Sequence, residues 1–340
     1  MREPARCRFL PVNLVVFAVI ACAALFVPSA LSAAPKVNQA VLAMDFQAAE
    51  AWLSAPAATR EATSNRTLGG RVAASALPTF GPIPKGSTSV AREVLSQLLS
   101  EMKRWAPSPE DLADLFPNLE SAPIRVFIVA TGHPNGDAYV RQMVFTREGP
   151  RLNKAGEPVV VLNANVIAQT YSGTVTEKAR DAFGVLRHEC FHVMYARYRM
   201  TPEGSMRKTA STPEGKVWEL VLNEGIGHFL DMGMQFQTDG FPHEKAEAAV
   251  RRLVQALRRL RNSPGPEKTE ILLREANQGK YWDKYGSISG MLFAYVVYQE
   301  SGIPGLRAAI QEGPHRLTRD YNTIAIKSGT WPVLPEDLLP

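Results

Sequence analysis

Cysteine is nearly absent from this chain: there are three in 340 residues, and two of them, Cys7 and Cys22, stand inside an apolar N-terminal segment. Only Cys190 lies beyond that segment, which excludes a disulfide within the body of the protein. Histidine is scarce too, at six residues, so any close pair of them is informative. Excess charge of one sign is small, since 38 Lys and Arg against 33 Asp and Glu leave +5. That surplus is too weak to point to a nucleic-acid partner, and none is expected. What is present is ordinary globular composition, 45% hydrophobic and 21% charged, enough to bury a core without covalent staples.

The N-terminus reads differently from the rest. Arg2, Arg6 and Arg8 precede an uncharged apolar run from Val15 to Val27, and the small residues of PSALSAA follow. This is the pattern of a signal peptide over residues 1–33, cut near Ser32 to Ala34. Two other fates share the segment: VIAC resembles a lipobox with Cys22 as lipid anchor, and an uncleaved run would tether the chain. Against lipidation, AALFV after Cys22 stays apolar. Each fate exports the body to the periplasm or beyond, and after cleavage no stable membrane insertion is expected.

Residues 34–119 read as an N-terminal helical segment with a Pro/Gly/Ala-rich linker. The spacing of Val41, Leu42, Met44, Phe46, Ala49 and Trp52 predicts a short helix over 37–53, and residues 54–90 read as loop. A second helix is predicted over Val90 to Trp105, and a third starts with Ser108 as N-cap and Pro109 at its first position. A second unit, 120–335, opens with the β-rich runs IRVFIVA, AYVRQMVFT and EPVVVLNA, which predict a small, largely antiparallel sheet. From 174 onward the pattern is almost entirely helical. The fold class is α+β, mainly helical, with the sheet beside the helix that carries the residues of interest.

Those residues lie in VLRHECFHVMY, residues 185–195. His188 and His192 are four apart, so a helix places both imidazoles on one face, a turn apart. Thr174 with Glu177 makes a capping box and TPEG at 201–204 a stop, which sets both histidines mid-helix on rigid backbone. A zinc site needs this, because its ligands must converge within about 2.0–2.1 Å of one point. Glu189 points off the pair and suits a base acting on water rather than a ligand. Cys190 lies far around the helix and reads as a small buried hydrophobe. The next predicted helix, capped by Thr212 and Pro213, carries KVWELVLNEGIGHFLDM and offers Glu224 as a third ligand. Gly225 and Gly227 beside it suggest a close helix approach.

HECFH, followed 32 residues after His192 by the glutamate of NEG, resembles the gluzincin class of zinc metallopeptidases. YGSISGMLFAYVVYQESGIPGL adds to the likeness, which covers about residues 120–310 and extends to uncharacterised bacterial proteins described as zinc-dependent peptidases. The resemblance implies a zincin-like metallopeptidase domain, one Zn2+ on His188, His192 and Glu224, Glu189 as general base, and a peptide or protein substrate. The chain departs from that pattern twice. Where many gluzincins carry an aspartate that orients a histidine, this chain has His228, with Asp231 the nearest aspartate. Where a carbonyl-polarising tyrosine is expected, Ser287 stands, with Tyr285 and Tyr281 close by in sequence. These departures keep a second expectation open, an exported metal-binding or structural protein without turnover. The order of elements also predicts that EPVVVL pairs with an extended substrate at a sheet edge.

Overall fold

The computed structural model describes residues 42–76, 91–104, 110–117, 119, 122–131, 136–206, 210–262 and 265–340. The expected export segment and the helix start at Ser108 and Pro109 lie outside those residues. The strands are β1 (Leu42–Asp45), β2 (Ile124–Val129), β3 (Ala138–Thr146), β4 (Gly149–Leu152) and β5 (Glu157–Asn163). The helices are α1 (Gln47–Ser54), α2 (Arg60–Ser64), α3 (Leu68–Ala76), α4 (Arg92–Arg104), α5 (Glu110–Leu115), α6 (Ala164–Thr170) and α7 (Val175–Met200), then α8 (Pro202–Met206), α9 (Pro213–Asp239), α10 (His243–Arg261), α11 (Pro266–Glu275), α12 (Tyr285–Glu312) and α13 (Pro314–Ser328). The class is α+β and mainly helical.

The strands form one sheet in the order β1-β2-β5-β3-β4. The sheet is mixed rather than largely antiparallel: β1–β2 and β2–β5 run parallel, whereas β5–β3 and β3–β4 run antiparallel. Parallel neighbours need a long crossover, and α1 to α5 lie in the chain between β1 and β2. β5 is interior, paired on both sides, which overturns the expectation that EPVVVL forms an edge. Its run from Pro158 to Asn163 is buried throughout, as a strand covered on both faces requires.

Successive side chains serve two cores. Val126, Ile128, Val160 and Leu162 face the main core with α4, α6 and α7, while Phe127, Val129, Val159 and Val161 face a smaller one closed by Ala48, Val72, Ala73 and Ala76. The helix expected over 37–53 is instead β1 followed by α1. Leu42, Met44 and Phe46 also repeat with period two, and pairing along β2 decides between the periods. Within the expected loop, α3 forms and packs on the sheet. A Cβ on Gly69 would sit 3.1 Å from the Phe127 ring, so the small residues that weaken this helix are those that let it seat.

Three long helices carry the site. α7 and α9 run antiparallel, with Tyr195 opposite Glu219, His192 opposite Asn223, and Gly184 opposite Asp231. α9 and α12 run side by side so closely that a Cβ on Gly225 would lie 2.4 Å from Gly290 Cα, and one on Gly290 would lie 1.9 Å from Val221 O. Gly225 therefore serves the crossing with α12 rather than the approach to α7. No described helix is long and apolar enough to cross a membrane.

Candidate metal centre

The capping box at the start of α7 sets where its turns fall. Thr174 Oγ1 accepts from the Glu177 N–H, and the Glu177 carboxylate accepts from the Thr174 N–H at 2.7 Å. The same helical phase brings the His188 and His192 rings edge to face, with Nε2 atoms 2.8 Å apart. From α9, capped by Thr212 with Pro213 at its first position, Glu224 comes up opposite. Its Oε1 is 3.6 Å from His192 Nε2 and its Oε2 is 3.7 Å from His188 Nε2. One donor atom from each of the three lies within 4.8 Å of the others. His188 and Glu224 are buried and His192 is partly exposed, so the cluster opens on the His192 side.

The remaining ring nitrogens are turned away from the cluster. His192 Nδ1 donates to Asn223 Oδ1 at 3.2 Å, and the His188 ring hydrogen-bonds the main chain of Gly227. In the tautomer with both Nδ1 atoms protonated, both Nε2 atoms direct lone pairs at the carboxylate's side of the site. Burial above all, then the neighbouring His192, His228 and Lys284, holds His188 well below the usual imidazole range and keeps it neutral. Donors about 2.0–2.1 Å from a tetrahedral zinc lie about 3.3 Å from one another. The observed separations bracket that value, so two imidazoles and a carboxylate here fit such an ion.

Glu189, next to the first histidine, is partly exposed. Burial of its carboxyl, reinforced by Glu224 and Asp137 and opposed by His192 and Arg141, pushes it up to about 7. Cys190 is fully buried, and burial pushes its thiol up, so it is core and not a ligand.

The four further candidates fall in different places. His228 is buried with its ring 4.6 Å from that of His188, yet outside the three converging residues. Tyr281 meets His228 edge to face at 5.5 Å and turns its hydroxyl to Met291 Sδ at 3.4 Å. Tyr285 is not turned toward the cluster's chemistry, because its hydroxyl donates to Leu272 O at 2.6 Å. Ser287 is likewise engaged, donating to Asn277 Oδ1 at 2.6 Å. Asp231 presses against Gly184 of α7, where a Cβ would come 2.3 Å from its Oδ1. Sequence reading missed Asp137, just before β3, and Arg141 on β3, whose charges act on Glu189. Nothing local in the sequence marks them; only the packing of β3 beside α7 brings them there.

Two helix-borne histidines and a glutamate on an α+β chain form a cluster that could hold a metal ion, the arrangement a zinc hydrolase needs. The chain belongs to the family described as "Putative zinc dependent peptidase (DUF5700)", whose model matches residues 93–330. No curated protein and no solved structure matches it.

Proposed function

We propose that the protein is an exported zinc-dependent peptidase of the gluzincin type, with His188, His192 and Glu224 holding one zinc and Glu189 as general base. The convergence of these three residues with Glu189 beside them carries the reading. When bound, zinc supplies Lewis-acid polarisation of the scissile carbonyl and acidifies the attacking water. Glu189 would accept the proton of that water and pass it to the leaving amine. Asn223 orients His192. An extended substrate has an open stretch of strand to pair with on β3: β4 covers β3 only from Met143 to Thr146, and no described strand pairs with the outer side of residues 138–141. Export rests on the basic, then apolar, N-terminal segment.

A second reading, a zinc-holding exported scaffold without turnover, is favoured by one observation: the hydroxyls of Tyr285 and Ser287 are both committed inside the protein. Metal analysis of purified protein, with cleavage of an unfolded protein by wild type and by Glu189→Gln, separates the two. Stoichiometric zinc and cleavage lost in the variant support the peptidase; zinc with no cleavage by either supports the scaffold. A metal-replete protein without zinc sinks both.

A further inference from the structure

We infer that Gly227 is a positioning residue for His188: its missing side chain gives the imidazole its seat against α9, and its carbonyl holds Nδ1–H so that Nε2 faces Glu224. This rests on the reading that His188, His192 and Glu224 hold zinc.

The antiparallel register of α7 and α9 carries the argument. Where His192 meets α9, a side-chain amide, that of Asn223, accepts the proton on Nδ1. One turn away, His188 meets a residue with no side chain. A Cβ added there would lie 3.0 Å from His188 Nδ1, 3.1 Å from Cε1 and 3.3 Å from Cγ, so the ring lies flat on the helix backbone. The acceptor is then the main chain of Gly227 itself. A carbonyl has two lone pairs and can accept from the ring as well as from within its helix. The ring cannot retreat from an intruding methyl: His188 is buried, His228 packs on it at 4.6 Å between centroids, and Tyr281 backs His228. An added Cβ must therefore tilt the ring and swing Nε2 off the point it shares with His192 and Glu224. A main-chain acceptor has no rotamer to lose, and it explains how His228 can stand where a carboxylate orients a histidine in many gluzincins.

The test compares wild type with Gly227→Ala, measuring the melting temperature of metal-free protein and zinc affinity by competition with a chromophoric chelator. The expected result is a 10- to 100-fold loss of zinc affinity. The metal-free melting temperature should change little, because alanine's better helix propensity offsets the cost of displacing the ring. A glycine that merely fills space would give a higher melting temperature with unchanged affinity, and that result overturns the inference. Should the variant not fold, wild type labelled with 15N-histidine decides: zinc-loaded His188, assigned by its loss in His188→Gln, is expected to be protonated at Nδ1 and metal-bound at Nε2. The opposite tautomer overturns the inference. Failure of wild type to bind zinc in the same titration instead overturns the metal reading, and this inference with it.

Discussion

His188 Nε2 and His192 Nε2 face each other at 2.8 Å, while His192 Nδ1 meets Asn223 Oδ1 and the His188 ring hydrogen-bonds the main chain of Gly227. In the metal-free protein that contact is close enough for one shared proton, whereas a bound cation would take a lone pair from each nitrogen. Zinc should therefore stabilise the fold: at a hundredfold excess over Kd the gain is about 2.7 kcal/mol. Thermal melts with added zinc, and after chelation, check this. Equal melting temperatures in the two conditions would count against the site.

Replacing Glu189 by Gln keeps shape and removes the proposed base. Cleavage of an unfolded protein substrate should fall by about 10²- to 10⁴-fold with zinc content unchanged. A variant that retains full zinc and full activity would remove Glu189 from the mechanism.

The same substitution should reveal the carboxyl's environment through pH. In the folded metal-free protein Glu189 is raised to about 7 from 4.5, so the native state disfavours its ionised form. Its contribution is intact below pH 4.5 and is lost as pH rises to 7, where glutamine, neutral throughout, loses nothing. Metal-free Glu189→Gln should thus match wild type near pH 4.5 and be more stable by about 1–3 kcal/mol above pH 7. His188, whose depressed value acts in the opposite direction, is common to both proteins and cancels. Denaturant titrations across that range measure the difference; a gap that widens toward acid would contradict the assigned cause.

Asn223→Ala deprives His192 Nδ1 of its acceptor beside Glu224. Zinc affinity should drop about 10- to 100-fold. Chelator competition reads the loss directly, and an unchanged Kd would show that water replaces the amide without penalty.

Gly290→Ala tests the scaffold rather than the chemistry. With Val221 O only 1.9 Å from the new Cβ, α9 and α12 must separate. Overpacking of this kind costs about 1–3 kcal/mol or more, and a melt that matches wild type would mean the crossing is slacker than it stands here.

Much of the site was legible locally. The Thr174 capping box, the stop after Met200 and the Thr212 cap are short-range signals, and the structure places both long helices between them. Spacing of four is enough to put His188 and His192 on one face, because helix geometry is the same wherever the helix lies. The N-terminal elements were not legible in this way. Leu42, Met44 and Phe46 satisfy both periods, and the glycines of α3 argue against a helix that only its seat on Phe127 sustains. Strand order was equally hidden, since nothing in EPVVVL says which neighbours it takes; its continuous apolar run marks burial on both faces but not position.

Amino-acid sequence alone determined the common face of His188 and His192, the carboxyl of Glu189 between them and the rigid helices that hold them, because each depends on contacts within a turn of chain. Tertiary structure decided the rest: that Glu224 meets the Nε2 atoms, that Gly225 serves α12 while Gly227 serves His188, and that Tyr285 turns away. These are relations between helices, fixed by register and crossing distance across segments far apart in the chain, and no local pattern encodes them.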